Sequence, residues 1–126
     1  MKTYLADTNV YLRFLLQDEV ALADRAEEYL IQAKQKQIKL IFLSAVVLEM
    51  GFVLQKVYKL SASEVAKHLL RLVKTSYVEV EDRQVWLKTL LVYGRKKIDL
   101  LDIYLFEKAK DTGVEILSFD KDFKRL

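Results

Sequence analysis

The sequence predicts an α/β fold with a parallel sheet, and three observations lead there. Four short apolar runs lie near residues 3, 41, 78 and 115. Longer stretches of helical periodicity separate them. Proline is absent and the only glycines are Gly51, Gly94 and Gly113, which leaves few breakers and therefore short connections. Short strands alternating with helices imply parallel pairing, with helices covering both faces of the sheet.

Each element has its own local signal. Lys2 to Ala6, with Tyr4 and Leu5, suits a buried first strand. Val10 to Leu16 reads as helix, with Val10, Phe14 and Leu15 on one face. Glu19 to Lys36 reads as a second helix, in which Ala23, Ala26, Leu30 and Ala33 form an apolar stripe. Leu40 to Leu43 is a short apolar strand, and Ser44 is a cap for a helix reaching about Tyr58. Ser61 and Glu64 have the spacing of a capping box, which starts a helix running to about Lys74. Tyr77 to Val80 is the third strand. Asp82 is the expected cap of a helix to Tyr93 that closes near Gly94. Asp99 is the expected cap of Leu100 to Asp111, with Gly113 as a left-handed stop. Val114 to Leu117 is the expected last strand. The order is β-α-α-β-α-α-β-α-α-β, and residues 1–126 form one domain with no visible linker or repeat.

Composition narrows the chemistry. A chain of 126 residues can build a core without staples. The absence of cysteine removes disulfides, thiolate metal sites and cysteine nucleophiles. His68 is the one histidine. Flanked by Lys67, it reads as a solvated helix residue, and it is too little for serine-type triads or histidine-rich zinc sites. The N-terminus lacks a signal-peptide core, so the expected location is the cytoplasm. The most apolar stretch, Leu40 to Leu54, is interrupted by Glu49 and falls short of the roughly 20 residues a membrane helix needs. Hydrolysis by this chain would rest on carboxylates and a hard cation.

Four carboxylates stand out. Asp7 follows the first strand, where open α/β sheets place their sites. As a bare structural residue it would cap the next helix. Glu49 is the only charge in Ala45 to Leu54. Its burial would require a partner or an ion, because an unpaired buried carboxylate costs several kcal/mol; otherwise it occupies a narrow solvent stripe. Asp102 sits three residues after Asp99 in a first helical turn, where the helix dipole favours anions. Asp120 follows the last run, with Ser118 and Asp122 beside it. Mg²⁺ and Mn²⁺ prefer oxygen ligands, and such a cluster could hold one or two ions that activate water against a phosphodiester. The net charge is +3. Confining these four acids to one pocket leaves the rest of the surface more basic, as suits a polyanionic substrate.

Four segments together resemble the PIN-domain ribonucleases, and within them the VapC-type toxins of toxin–antitoxin pairs. They are Asp7-Thr8-Asn9-Val10-Tyr11-Leu12-Arg13, Ser44 to Glu49, Ile98 to Asp102, and Leu117 to Phe123. The resemblance implies an α/β/α three-layer sandwich with a four- or five-stranded parallel sheet. It implies Asp7, Glu49, Asp102 and Asp120 as catalytic, metal-binding residues for Mg²⁺ or Mn²⁺. Thr8, Asn9, Asp99 and Ser118 would hydrogen-bond the carboxylates and their waters. Arg13 would contact RNA or the antitoxin. The expected activity is endoribonuclease, with transfer RNA the favoured substrate class and an antitoxin protein as partner. A homodimer is expected from the resemblance and from the apolar side chains of Phe52 to Leu60, with Gly51 marking a close contact. The sequence departs from the family pattern in having Ser118 and Asp120 where Thr and Asn are frequent. It also has the bulky run Ile103-Tyr104-Leu105-Phe106 where alanine is usual. The competing readings are a nuclease-like fold used only for binding and an RNA-processing nuclease outside any toxin–antitoxin pair.

Overall fold

The computed structural model describes residues 1–126. The elements are β1 (Lys2–Leu5), α1 (Thr8–Leu16), α2 (Val20–Lys34), β2 (Ile38–Phe42), α3 (Ser44–Lys56), α4 (Ala62–Val73), β3 (Glu79–Val80), α5 (Arg83–Tyr93), α6 (Leu100–Thr112) and a short 3₁₀ turn at Lys121–Arg125. The three strands form one parallel sheet in the order β1-β2-β3. Tyr4 pairs with Leu40, and Phe42 with Val80.

One sheet face carries the core. Ile38, Leu40 and Phe42 alternate with Lys39 and Ile41, and the first three are buried. Tyr11 of α1 packs on Phe42 and donates its hydroxyl to the Ile41 carbonyl at 3.0 Å. Trp86, Met50, Leu69 and Ile103 complete the same cluster from α5, α3, α4 and α6. The opposite face presents Thr3, Leu5, Lys39 and Glu79, all exposed, with Lys39 and Glu79 paired at 3.5 Å. The expected covering of both faces is therefore not met at these positions. The alternation in Ile38-Lys39-Leu40 already has the form of a half-buried strand.

The expected fourth strand is also absent. Val114 to Leu117 makes no ladder, and the sheet has three strands rather than four or five. Gly113 adopts a left-handed φ of 73° at the end of α6, and the Val114 amide bonds back to the Ala109 carbonyl at 3.0 Å. That bond ties the start of the run to the helix end. Val114 and Leu117 stay exposed, and so does Leu5 on β1.

Several helix boundaries follow their signals. Ser61 and Glu64 form the complete capping box. Ser44 does not cap α3: Leu43 holds the cap position, and Ser44 lies inside the helix. Its amide donates to the Glu81 carboxylate at 3.0 Å, so an acid from the end of β3 supplies the cap. Asp82 and Asp99 occupy cap positions but make no side-chain cap bond. Arg83 fastens the turn before β3, its guanidinium donating to the carbonyls of Val73, Thr75 and Val78. Gly51 meets its neighbour within the chain, since a Cβ there would stand 2.5 Å from Leu100 Cδ2. The close contact expected at Gly51 is thus the approach of α3 to α6.

Candidate metal centre

Asp7, two residues past β1, caps α1 in an extended conformation (ψ 175°), and its Oδ1 accepts the Val10 amide at 3.2 Å. The carboxylate is exposed, and a helix-capping acid keeps a free oxygen for other partners. Thr8, the first residue of α1, is buried, and its hydroxyl donates to Glu49 Oε2 at 2.7 Å. This bond joins the end of β1 to the second turn of α3. Glu49 is exposed, so the burial cost anticipated for it does not arise; the narrow solvent stripe is what the helix provides.

Asp102 lies in the first turn of α6 and is half-buried. Asp120 opens the C-terminal 3₁₀ turn, its Oδ1 accepting the Asp122 amide at 2.8 Å, while the Ser118 hydroxyl accepts the Asp120 amide at 2.9 Å. Carboxylate oxygens of Asp102, Asp120 and Asp122 all lie within 4.8 Å of one another. Burial first, and then the charges of Asp120, Asp99 and Asp122, push the Asp102 carboxyl above its ordinary pKa. Loss of solvent and the nearby negative charges both disfavour the ionised carboxylate, and a bound cation would offset both. Asp7 and Glu49 are not part of this group of three.

The remaining expected site residues are placed as follows. Asp99 stands exposed at the start of α6, close enough to Asp102 to act on its charge. Asn9 is exposed and lines a small cavity with Arg13 and Arg25. Arg13 is largely enclosed and already engaged: it pairs with Asp18 at 3.2 Å and Glu19 at 3.5 Å, and donates to the Tyr58 hydroxyl at 2.8 Å. It ties α1 to the α1–α2 turn and to the end of α3. His68 is half-buried on α4.

A cleft of about 450 Å³ opens beside the acidic group, between α6 and the segment that follows it. Asp102, Asp120, Ser118 and Lys108 line it together with the apolar Leu105 and Leu117, both exposed. Asp122, which the sequence marks only as a neighbour of Asp120, joins the cluster as its third acid. Lys108 is a cleft residue that sequence reasoning missed. It also missed the contact of Tyr104 and Lys108 with Asp82. No motif marks that contact, because Asp82 lies on a different element.

The donor set fits a hard divalent cation. Every candidate ligand is an oxygen, no soft donor is near, and carboxylates this close repel unless a cation joins them. Ligand oxygens about one Mg²⁺ lie within roughly 4.2 Å of each other, twice a bond length of about 2.1 Å. The observed spread of 4.8 Å is close to that limit.

Comparison with known proteins adds two findings. A family model described as PIN domain matches residues 4–126. A VapC ribonuclease of Aquifex aeolicus (strain VF5) is 27% identical over 123 residues, covering 97% of this chain and 90% of the relative. No solved structure gives a significant match.

Proposed function

The chain belongs to the PIN-domain family, and from that premise we propose that it is a metal-dependent endoribonuclease, the toxin of a VapBC-type pair. The observation that carries the reading is the convergence of Asp102, from the start of α6, with Asp120 and Asp122, from the C-terminal turn, in one acidic group. The similarity to a VapC ribonuclease over nearly the whole chain supports the same conclusion. Asp7, Glu49, Asp102 and Asp120 are the proposed ligands of Mg²⁺ or Mn²⁺. When bound, the ion supplies Lewis-acid activation of water and charge neutralisation at the scissile phosphate.

The chain's own residues perform the positioning. The Thr8 hydroxyl fixes Glu49 in one orientation beside the end of β1. Ser118 holds the backbone of Asp120, and the Asp122 amide holds its carboxylate. Burial and the neighbouring acids raise the proton affinity of Asp102, and a bound cation would lower it again. Transfer RNA is the proposed substrate class, the cytoplasm the proposed location and an antitoxin protein the proposed regulator. No helix is long and apolar enough to cross a membrane.

The test is cleavage of purified transfer, ribosomal and messenger RNA by the isolated protein, with Mg²⁺, with Mn²⁺ and with chelator. Metal-dependent internal cuts in transfer RNA are expected, lost in Asp102→Asn. Absence of metal-dependent cleavage of every RNA would refute the activity.

A further inference from the structure

The acidic cleft contains one basic side chain, Lys108. A polyanion entering beside Asp102 and Asp120 meets repulsion unless a cation is fixed there, so the placement of Lys108 matters. Its Nζ donates to Asp82 Oδ1 at 2.8 Å, and its side chain is 39% exposed. An ammonium has three N–H donors, and this bond uses one. Two remain for another partner, and Lys108 itself lines the cleft.

The group that holds Lys108 is itself fixed. Asp82 follows β3 with φ 58°, a left-handed conformation uncommon outside glycine. Its second oxygen accepts the Tyr104 hydroxyl. Tyr104 stacks on the buried Trp86, with ring centres 4.4 Å apart and planes 18° from parallel. Trp86 in turn donates its indole N–H to Ser44 Oγ at 2.9 Å. Asp82, just before α5, thus holds the ammonium of α6, and Tyr104, also on α6, fixes Asp82 in turn. Hydrogen bonding to Asp82 also raises the Lys108 pKa above its ordinary value.

We propose that Lys108, oriented by Asp82 and Tyr104, binds a backbone phosphate of the RNA next to the one addressed by the carboxylates. The proposal rests on the nuclease reading above and adds a substrate-positioning residue to it. Lys108 lies six residues beyond Asp102 on α6, about 9 Å along the helix axis. It therefore meets a flanking phosphate rather than the scissile one. A phosphate contact of this kind adds affinity without regard to base sequence.

The experiment is fluorescence anisotropy of a labelled single-stranded RNA of mixed sequence, with Ca²⁺ at fixed concentration in place of Mg²⁺ and a gel to verify that the RNA stays intact. Affinity is measured from roughly 50 to 200 mM salt. Lys108→Gln should weaken binding and reduce the slope of log affinity against log salt by about 0.7, the loss of one single-strand phosphate contact. Lys108→Arg should retain the wild-type slope, as should Lys39→Gln, a charge loss on the sheet face away from the cleft. If Lys108→Gln fails to fold because Asp82 is stranded, Lys108→Met combined with Asp82→Asn makes the same comparison with both charges removed. A wild-type slope in Lys108→Gln, or in the Lys108→Met and Asp82→Asn double variant where it is used instead, with the wild-type protein still binding RNA, would overturn the assignment and leave the nuclease reading standing. No RNA binding by the wild-type protein at any salt would overturn both.

Discussion

Asp7 caps α1 through the Val10 amide while its charge faces solvent at the end of β1, and a single substitution separates the two roles. Asparagine caps helices about as well as aspartate, whereas alanine costs about 1 kcal/mol. Asp7→Asn should therefore keep the wild-type melting temperature in chelator and lose RNA cleavage. Asp7→Ala should lose both activity and stability. Cleavage at wild-type rate by Asp7→Asn at saturating Mg²⁺ would exclude a ligand role. Asp102 gives a second test through pH. Its folded-state pKa is raised, by burial and by neighbouring acids, so the folded protein holds that proton more tightly than the unfolded chain. The associated stability is present below the unfolded pKa and lost as pH rises through the folded one. In chelator, Asp102→Asn should be more stable than wild type at neutral pH, and the difference should shrink as pH falls through the carboxylate range. Melting curves at several pH values read this directly; a gap that stays constant with pH would rule out a raised Asp102 pKa in the folded state. At this scale the sequence singled out Asp102 and Asp120, which the fold brings together, and was poor about the surroundings of every candidate acid. Glu49 sits in an apolar stretch yet faces solvent, because one polar position in a helix needs only a narrow exposed stripe. The Thr8–Glu49 bond spans 41 positions, beyond the reach of any local pattern.

Among the elements, the contact between α3 and α6 is the most sensitive to a single atom. A Cβ at position 51 would meet Leu100 Cδ2 at 2.5 Å. Glycine inside a helix costs about 1 kcal/mol relative to alanine, so its presence reflects the room Leu100 needs. Overpacking costs typically about 1–3 kcal/mol. Gly51→Ala should lower stability by up to about 2 kcal/mol, the overpacking less the gain in helix propensity. In a Leu100→Ala background the same change should be neutral or stabilising. Denaturant melts of the four proteins give the coupling, and additive effects would show that the contact does not limit α3–α6 spacing. Elements with strong local signals, such as α2 with its alanine stripe and α4 with its capping box, were legible in the sequence. Val114 to Leu117 was misread because an apolar run specifies only that it prefers burial. Forming a strand also requires an edge to pair with, and here the run begins tied to the end of α6.

For the molecule as a whole, the α/β class was legible because alternating short strands and longer helices leave few alternatives. The number of strands and the covering of the sheet were not, since both depend on how distant segments dock. Association is the first whole-molecule expectation. Phe52 and Val57 are exposed on and just after α3, and we expect a homodimer through this surface. Light scattering at micromolar concentration should give twice the 14.8 kDa chain mass, and a monomer mass would contradict it.

The central claim is that Asp7 and Glu49, at the β1–α3 side, join Asp102 and Asp120 in binding one divalent centre. An ion that binds only the folded state stabilises it by about 2.7 kcal/mol at a hundredfold excess over its dissociation constant. The most direct measurement is the shift in melting temperature between chelator and Mn²⁺ for wild type, Asp7→Asn, Asp102→Asn and the exposed control Asp24→Asn. Wild type and Asp24→Asn should show equal upward shifts, and Asp7→Asn and Asp102→Asn much smaller ones. Equal shifts in all four proteins would mean that these acids do not form one metal site.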